Sequence, residues 1–428
     1  MKRVVLLLAT MLAGGAHAAP IAITNATVMT GAGATLDHAT IVVDGGRIRS
    51  VGNGAAPPGA TVIDAGGKTV TPGLVVGMSD LGIDEIGGVR EANDTEARKS
   101  PFSASLDVVP AINGRDGGIA VARAGGVTRA VVGPSASRDI FAGQGALIAL
   151  RDGPDVLVRG RAFQFVELGE NGAEAAGGSR TASFALFRNA LDEAQRFAAR
   201  RGREGDAREN VYQRADTVAL VAVVNGTQPL VVHVERGSDI LSVLALKTDF
   251  PKLHLILFGA REGWTVADRI AAAHVPVITS AIDDLPDAFE TLASTKSNVG
   301  RLVVAGVLVG IGTSGGESTN QPRNVTQFVG NLVAQGRMPG GVGVTRDQAL
   351  SLITRNPAEI FGMTDTGTIA AGQRADLVVW DGDPLELTSA PVAVMIDGVA
   401  QPITSRQTQL RDRYLQLQHD ALPLAYRP

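Results

Sequence analysis

Residues 229–234 read Pro-Leu-Val-Val-His-Val, and residues 238–247 follow as Ser-Asp-Ile-Leu-Ser-Val-Leu-Ala-Leu-Lys. The first run is apolar, β-branched and too short for a helix. The second is helical in texture. The pairing recurs downstream. Leu255-Ile256-Leu257-Phe258 precedes a helical stretch at 265–273, Val275-Pro276-Val277-Ile278 precedes one at 286–295, and Val307 to Ile311 precedes one near 324–334. Strand-helix units of this length imply a parallel sheet covered by helices. About eight such units fit the central segment, which predicts an α/β fold: a (β/α)8 TIM-like barrel over residues 72–365. A doubly wound sheet is the alternative on pattern alone.

The texture differs at both ends. Ile21-Ala22-Ile23-Thr24, Thr40-Ile41-Val42-Val43 and Thr61-Val62-Ile63 are short β-rich runs, the last two followed by Asp-Gly-Gly and Asp-Ala-Gly-Gly turn signals. Ala375 to Trp380 and Val392 to Gly398 repeat that texture. The expectation is a small composite β-sandwich domain built from 19–71 and 366–402, with 403–428 as a helical tail.

Composition narrows the function classes. Of 428 residues, 45% are hydrophobic and 19% charged, so the chain has material for a large core and is not a disordered chain. A formal net charge of −4 and an aromatic share of 4% argue against a nucleic-acid partner. There is no cysteine, hence no disulfide framework, thiolate site or cysteine nucleophile. Lys2-Arg3, the apolar run from Val4 to Met11 and Ala16-His17-Ala18 read as a secretory signal peptide over residues 1–18. The expectation is therefore an exported, periplasmic protein with no integral membrane segment after cleavage. Its partner would be a small-molecule substrate or ligand, with an oligomer left open.

Lys68-Thr69-Val70-Thr71-Pro72-Gly73-Leu74-Val75, Arg355-Asn356-Pro357-Ala358-Glu359-Ile360-Phe361-Gly362, Gly367-Thr368-Ile369, Ala375 to Trp380 and Gly382-Asp383-Pro384-Leu385 follow one another in an order and spacing that resembles the amidohydrolase superfamily, in particular its imidazolonepropionase-like branch. The resemblance implies metal-assisted hydrolysis of carbon–nitrogen bonds, such as those of a cyclic amide. One or two divalent ions acidify a bound water and polarise the carbonyl. It also implies ligands at the carboxyl ends of barrel strands: a His-x-His pair on the first, a mid-chain carboxylate or carbamylated lysine, a histidine on each of two later strands, and an aspartate on the last.

Carried over position by position, most of those ligands are replaced. The first pair falls on Met78 and Asp80. The first later histidine is His233, which is present, and the second falls on Gly259, after Phe258. The closing aspartate falls on Ser314, and Glu167 is the nearest candidate for the mid-chain bridge. No stoichiometric metal is expected. A single zinc or other divalent ion on His233 and Asp80, with Glu235 or Glu167, is the alternative. The candidate pocket is thus Met78, His233, Glu235, Gly259, Asp283 and Ser314, with Asp80 and Asp284 as candidate catalytic carboxylates. Asp283-Asp284 also reads as a plain helix cap, and Ser179 as another. Three functions stay open: a hydrolase with a stripped metal site, a non-catalytic periplasmic binding or subunit protein derived from one, and metal-independent hydrolysis by carboxylates such as Asp80 and Asp284.

Overall fold

A computed structural model of the chain describes residues 19–200, 210–313 and 321–415. The signal-peptide reading, Ser314 and the end of the tail lie outside the described residues.

The barrel is an eight-stranded sheet of β6 (Leu74–Ser79), β7 (Val127–Val132), β8 (Phe141–Ala149), β9 (Leu157–Glu167), β10 (Leu230–Val234), β11 (Leu255–Gly259), β12 (Val277–Thr279) and β13 (Val309–Ile311), paired in that order. Strands β1 to β5 and β14 to β16 form a second sheet. The first and last barrel strands meet through the Thr313 amide, which donates to the Met78 carbonyl at 2.9 Å. A Cβ on Gly77 would come within 3.0 Å of the Ile311 carbonyl, so the seam depends on the missing side chain.

The expected eightfold strand-helix repeat needs correction. β8 runs antiparallel to both β7 and β9. A helical crossover is needed only to return a chain parallel to itself, whereas Asp152-Gly153-Pro154 turns it back directly as a hairpin. The other seven strands share one direction, so their carboxyl ends open at one mouth.

Side-chain alternation decides what reaches that mouth. In β10, Leu230, Val232 and Val234 pack outward against the helices, while Val231 packs inside with Ile256, Ile278, Phe163 and Met78. His233 is two residues beyond Val231 and therefore points inward at the strand's end. By the same rule Phe258 follows Ile256, and Glu167 follows Phe163 and Phe165.

The second sheet contains β1 (Ile21–Met29), β2 (Thr35–Asp44), β3 (Arg47–Gly52), β4 (Thr61–Asp64), β5 (Thr69–Pro72), β14 (Leu377–Trp380), β15 (Pro391–Ile396) and β16 (Val399–Gln401). Both chain ends contribute: Leu377 to Trp380 pair antiparallel with Pro72 to Thr69. β5 also pairs with β1, so the ladder is continuous. This is one hydrogen-bonded sheet where a sandwich of two was expected.

A buried ion cluster joins this sheet to the barrel. Arg129 of β7 is 1% exposed, with Nε 2.6 Å from Asp376 and Nη2 2.8 Å from Asp397. Arg151 and Arg374 complete the ring, each 2.8 Å from Asp397. Burial pushes the Asp397 carboxyl up, but Arg129, Arg374 and Arg151 outweigh it and hold it down to about 2. Removing Arg129 strands Asp376, which is 2% exposed, without its guanidinium. Arg129→Ala is therefore expected to cost about 3–5 kcal/mol of unfolding free energy in urea at neutral pH. The low Asp397 value contributes stability above about pH 3.8 that is lost as pH falls through about 2, so the gap between wild type and variant should shrink over that acid range.

Candidate active site at the barrel mouth

His233 and Glu167 end neighbouring parallel strands and are register partners, so their side chains emerge side by side on the inner face. The imidazole Nδ1 lies 2.6 Å from Glu167 Oε2, and Nε2 lies 3.2 Å from Glu235 Oε1. A neutral imidazole has only one N–H donor, so satisfying two carboxylates requires the doubly protonated ring. Burial opposes the charge, yet Glu167 and then Glu235 hold the proton on, and the His233 pKa rises well above 6.5. Glu235 moves the other way: burial would raise its carboxyl, but His233 and Arg261 pull it below 4.5.

Glu235 also explains the glycine on the next strand. Gly259 has φ +84°, and a Cβ built there would lie 2.7 Å from Glu235 Oε1. The carboxylate fills the space in which a side chain from β11 would sit. A histidine at 259 is excluded twice, by backbone conformation and by an occupied volume. The Arg261 amide donates to Glu235 Oε2 at 2.8 Å, which fixes the carboxylate there. The Arg261 guanidinium lies 3.3 Å from Glu235 and 2.8 Å from Asp287.

The floor is apolar. Met78 is 2% exposed and packs under Gly133, where a Cβ would lie 2.5 Å from its sulfur. Phe165 and Phe258 form a wall, their ring centroids 5.9 Å apart, and the His233 ring lies 5.2 Å from Phe258. Above them opens a cavity of about 660 Å³.

The structure brings Met78, Asp80, His233, Glu235, Gly259 and Asp283 to this one cavity, together with Glu167. It does not bring Asp284. That carboxylate turns away to Lys296, 2.9 Å from its ammonium, and is half exposed, so the adjacent Asp283 and Asp284 face different ways. Asp283 accepts from the Ser280 hydroxyl and faces inward. Ser179 caps its helix by accepting from the Ala182 amide at 3.2 Å, the plain reading of that residue.

Sequence reasoning missed Arg261, Glu290 and Arg180. Glu290 accepts from the Glu170 amide at 2.7 Å and from Arg180 at 3.0 Å. Burial raises its carboxyl above 4.5, and Glu167 and Glu170 add to that. The one available signal was Arg261 standing two residues beyond Gly259; nothing local marks the other two. Among the described residues, no group of three or more His, Cys, Asp or Glu is placed to hold a metal ion. Both His233 nitrogens face carboxylates.

Residues 249–404 match the Amidohydrolase family profile. The amidohydrolase tasK of Hapsidospora irregularis is 26% identical over 84% of this chain, and the match spans 39% of that protein. The chain thus covers about two fifths of tasK. An imidazolonepropionase of Deinococcus radiodurans is 27% identical over 81% of this chain and 86% of its own length. In structure, an amidohydrolase from Thermotoga maritima MSB8 aligns over 90% of this chain and 100% of that one, with TM-score 0.80 and 24% identity.

His233→Ala should leave Glu167 and Glu235 buried without their shared cation and cost about 2–4 kcal/mol. The His233 contribution is complete below about pH 6.5 and is lost as pH rises through its raised value. The Glu235 contribution is complete above about pH 4.5 and is lost as pH falls through its lowered value. Urea denaturation across pH should therefore show the widest gap between wild type and variant at about pH 4.5–6.5. A gap independent of pH would count against the imidazolium.

Proposed function

We propose that the chain is an exported, periplasmic protein of the amidohydrolase superfamily, on its imidazolonepropionase-like branch, that binds a small molecule at a barrel mouth stripped of metal ligands. The observation that carries the proposal is the His233 imidazolium between Glu167 and Glu235, with Glu235 filling the space beside Gly259. In the parent chemistry a divalent ion supplies a fixed positive charge and an acidic water. Here the positive charges are organic, His233 and Arg261, and each is met by carboxylates of the same chain. The donor set does not fit a divalent ion, and no step runs through one. This favours the binding or subunit reading over metal-assisted hydrolysis.

A second reading keeps hydrolysis of a carbon–nitrogen bond. The His233 imidazolium, 19% exposed, would hold positive charge beside a carbonyl oxygen as it turns negative, and the proton drawn from the attacking water would pass to the departing nitrogen. Asp80 on the same cavity would take the proton of the attacking water. Activity toward amides that survives chelation and falls with both His233→Gln and Asp80→Asn would favour it.

Export rests on the first eighteen residues, and the division into 19–71 with 366–402 and 72–365 belongs to the same proposal. Among the described residues no helix is long and apolar enough to cross a membrane. Mass spectrometry of the exported form should give Ala19 as its first residue. Plasma emission analysis of that material should find no stoichiometric divalent metal, and EDTA should leave the melting midpoint unchanged. About one ion per chain, surviving dialysis and lost on His233→Ala, would overturn the metal-free reading.

A further inference from the structure

The cavity has a charge surplus that its own cations do not cancel. Asp80 enters from β6, Glu167 and Glu170 from the end of β9, and Glu235 from β10. Asp283, Asp287 and Glu290 enter from the segment after β12. Against these seven carboxylates the described lining sets two basic groups, His233 and Arg261, and Arg180 reaches Glu290 from behind. The three cations pair with Glu167, Glu235, Asp287 and Glu290 at 2.6–3.3 Å, and Arg180 also with Asp239 at 2.8 Å. Glu170 and Asp283 fare differently. Their nearest guanidinium atoms are 3.7 and 3.5 Å away, beyond good hydrogen-bond length, and Asp283 has the neutral Ser280 hydroxyl as its donor.

A recess with low-dielectric walls concentrates such a surplus into a strong negative potential. The wall of this one includes Phe165 and Phe258, whose ring faces attract cations. Space, charge and aromatic surface therefore agree. We propose that the barrel mouth binds an organic cation, a small molecule carrying a guanidinium or primary ammonium group, with Glu170 and Asp283 accepting its N–H donors and the phenylalanine wall packing its carbon chain. The proposal rests on the mouth being a metal-free binding site and adds the charge class of what it binds.

Calorimetric titration with agmatine, glutarate and 1,5-pentanediol separates the cases, since the three have comparable chains and differ in charge. Agmatine should bind, more weakly as salt rises, while glutarate and pentanediol should not. The double variant Glu170→Gln/Asp283→Asn should lose roughly tenfold in agmatine affinity while keeping the wild-type circular dichroism spectrum. Glutarate or pentanediol binding as tightly as agmatine would overturn the proposal. So would no agmatine binding, or agmatine binding indifferent to salt and to the double substitution. Metal content on the same sample reads the earlier proposal separately. A bound ion with agmatine binding intact overturns only the metal-free reading, and no ion with no agmatine binding overturns only the cation.

Discussion

The 2.6 Å contact between His233 and Glu167 bridges two strand ends held in register, and the arrangement of the barrel mouth follows from it. Register makes the two side chains neighbours, and burial makes their pairing compulsory once either is charged. A protonated ring then has a second N–H to satisfy, and Glu235 meets it from two residues further along. Glu235 can do so only by folding its carboxylate into the space beside β11, which explains why residue 259 carries no side chain. The carboxylate's outer oxygen takes the Arg261 amide, and the Arg261 side chain continues to Asp287. One contact thus commits residues on four strand ends and their loops. Each commitment is local, short-ranged and sterically specific.

The Arg129 cluster plays a comparable part near the amino-terminal end of β7, away from the mouth. Its carboxylates come from residues just before β14 and just after β15, the returning half of the second sheet. An arginine buried in the barrel wall can be satisfied only when that half has docked. The ion cluster therefore makes barrel and sheet mutually dependent: docking takes the guanidinium out of water and replaces that water with Asp376 and Asp397. Trp380 adds a matching constraint, its indole N–H donating to the Thr71 hydroxyl at 2.9 Å across the β5–β14 pair.

The second half of the barrel was legible because β10 to β13 are short apolar runs separated by helical stretches, a change of period visible in the sequence. The first half was not. Phe-Ala-Gly-Gln-Gly-Ala-Leu-Ile-Ala at 141–149 has glycines where a strand pattern expects side chains, and it hid β8. Most strand-end residues of the site were legible through the family resemblance, which marks the positions after each apolar run: Met78, Asp80, His233 and Gly259 were found that way, and all line the cavity. Asp283 and Asp284 lie on a loop, where no period tells which of two adjacent carboxylates turns inward. Arg180 and Glu290, 110 residues apart, meet only through tertiary packing.

The positions that the resemblance marks for metal ligands also behave as a packed set. Met78 fits because residue 133 is glycine, with no Cβ to meet its sulfur, and because Gly312 leaves room beside its Cβ. Gly259 fits because Glu235 occupies the neighbouring space. An imidazole at 78 would lose the thioether's contacts beneath Gly133 and bring a ring nitrogen that needs a partner into an apolar floor. One at 259 would evict a carboxylate that His233 and Arg261 both require. Changes at such sites do not add: each alters the partner on which the next depends. Whatever chemistry the mouth performs is therefore set by the imidazolium–carboxylate network as a unit. A single histidine introduced into it would disturb two charge pairs before it could contribute one ligand.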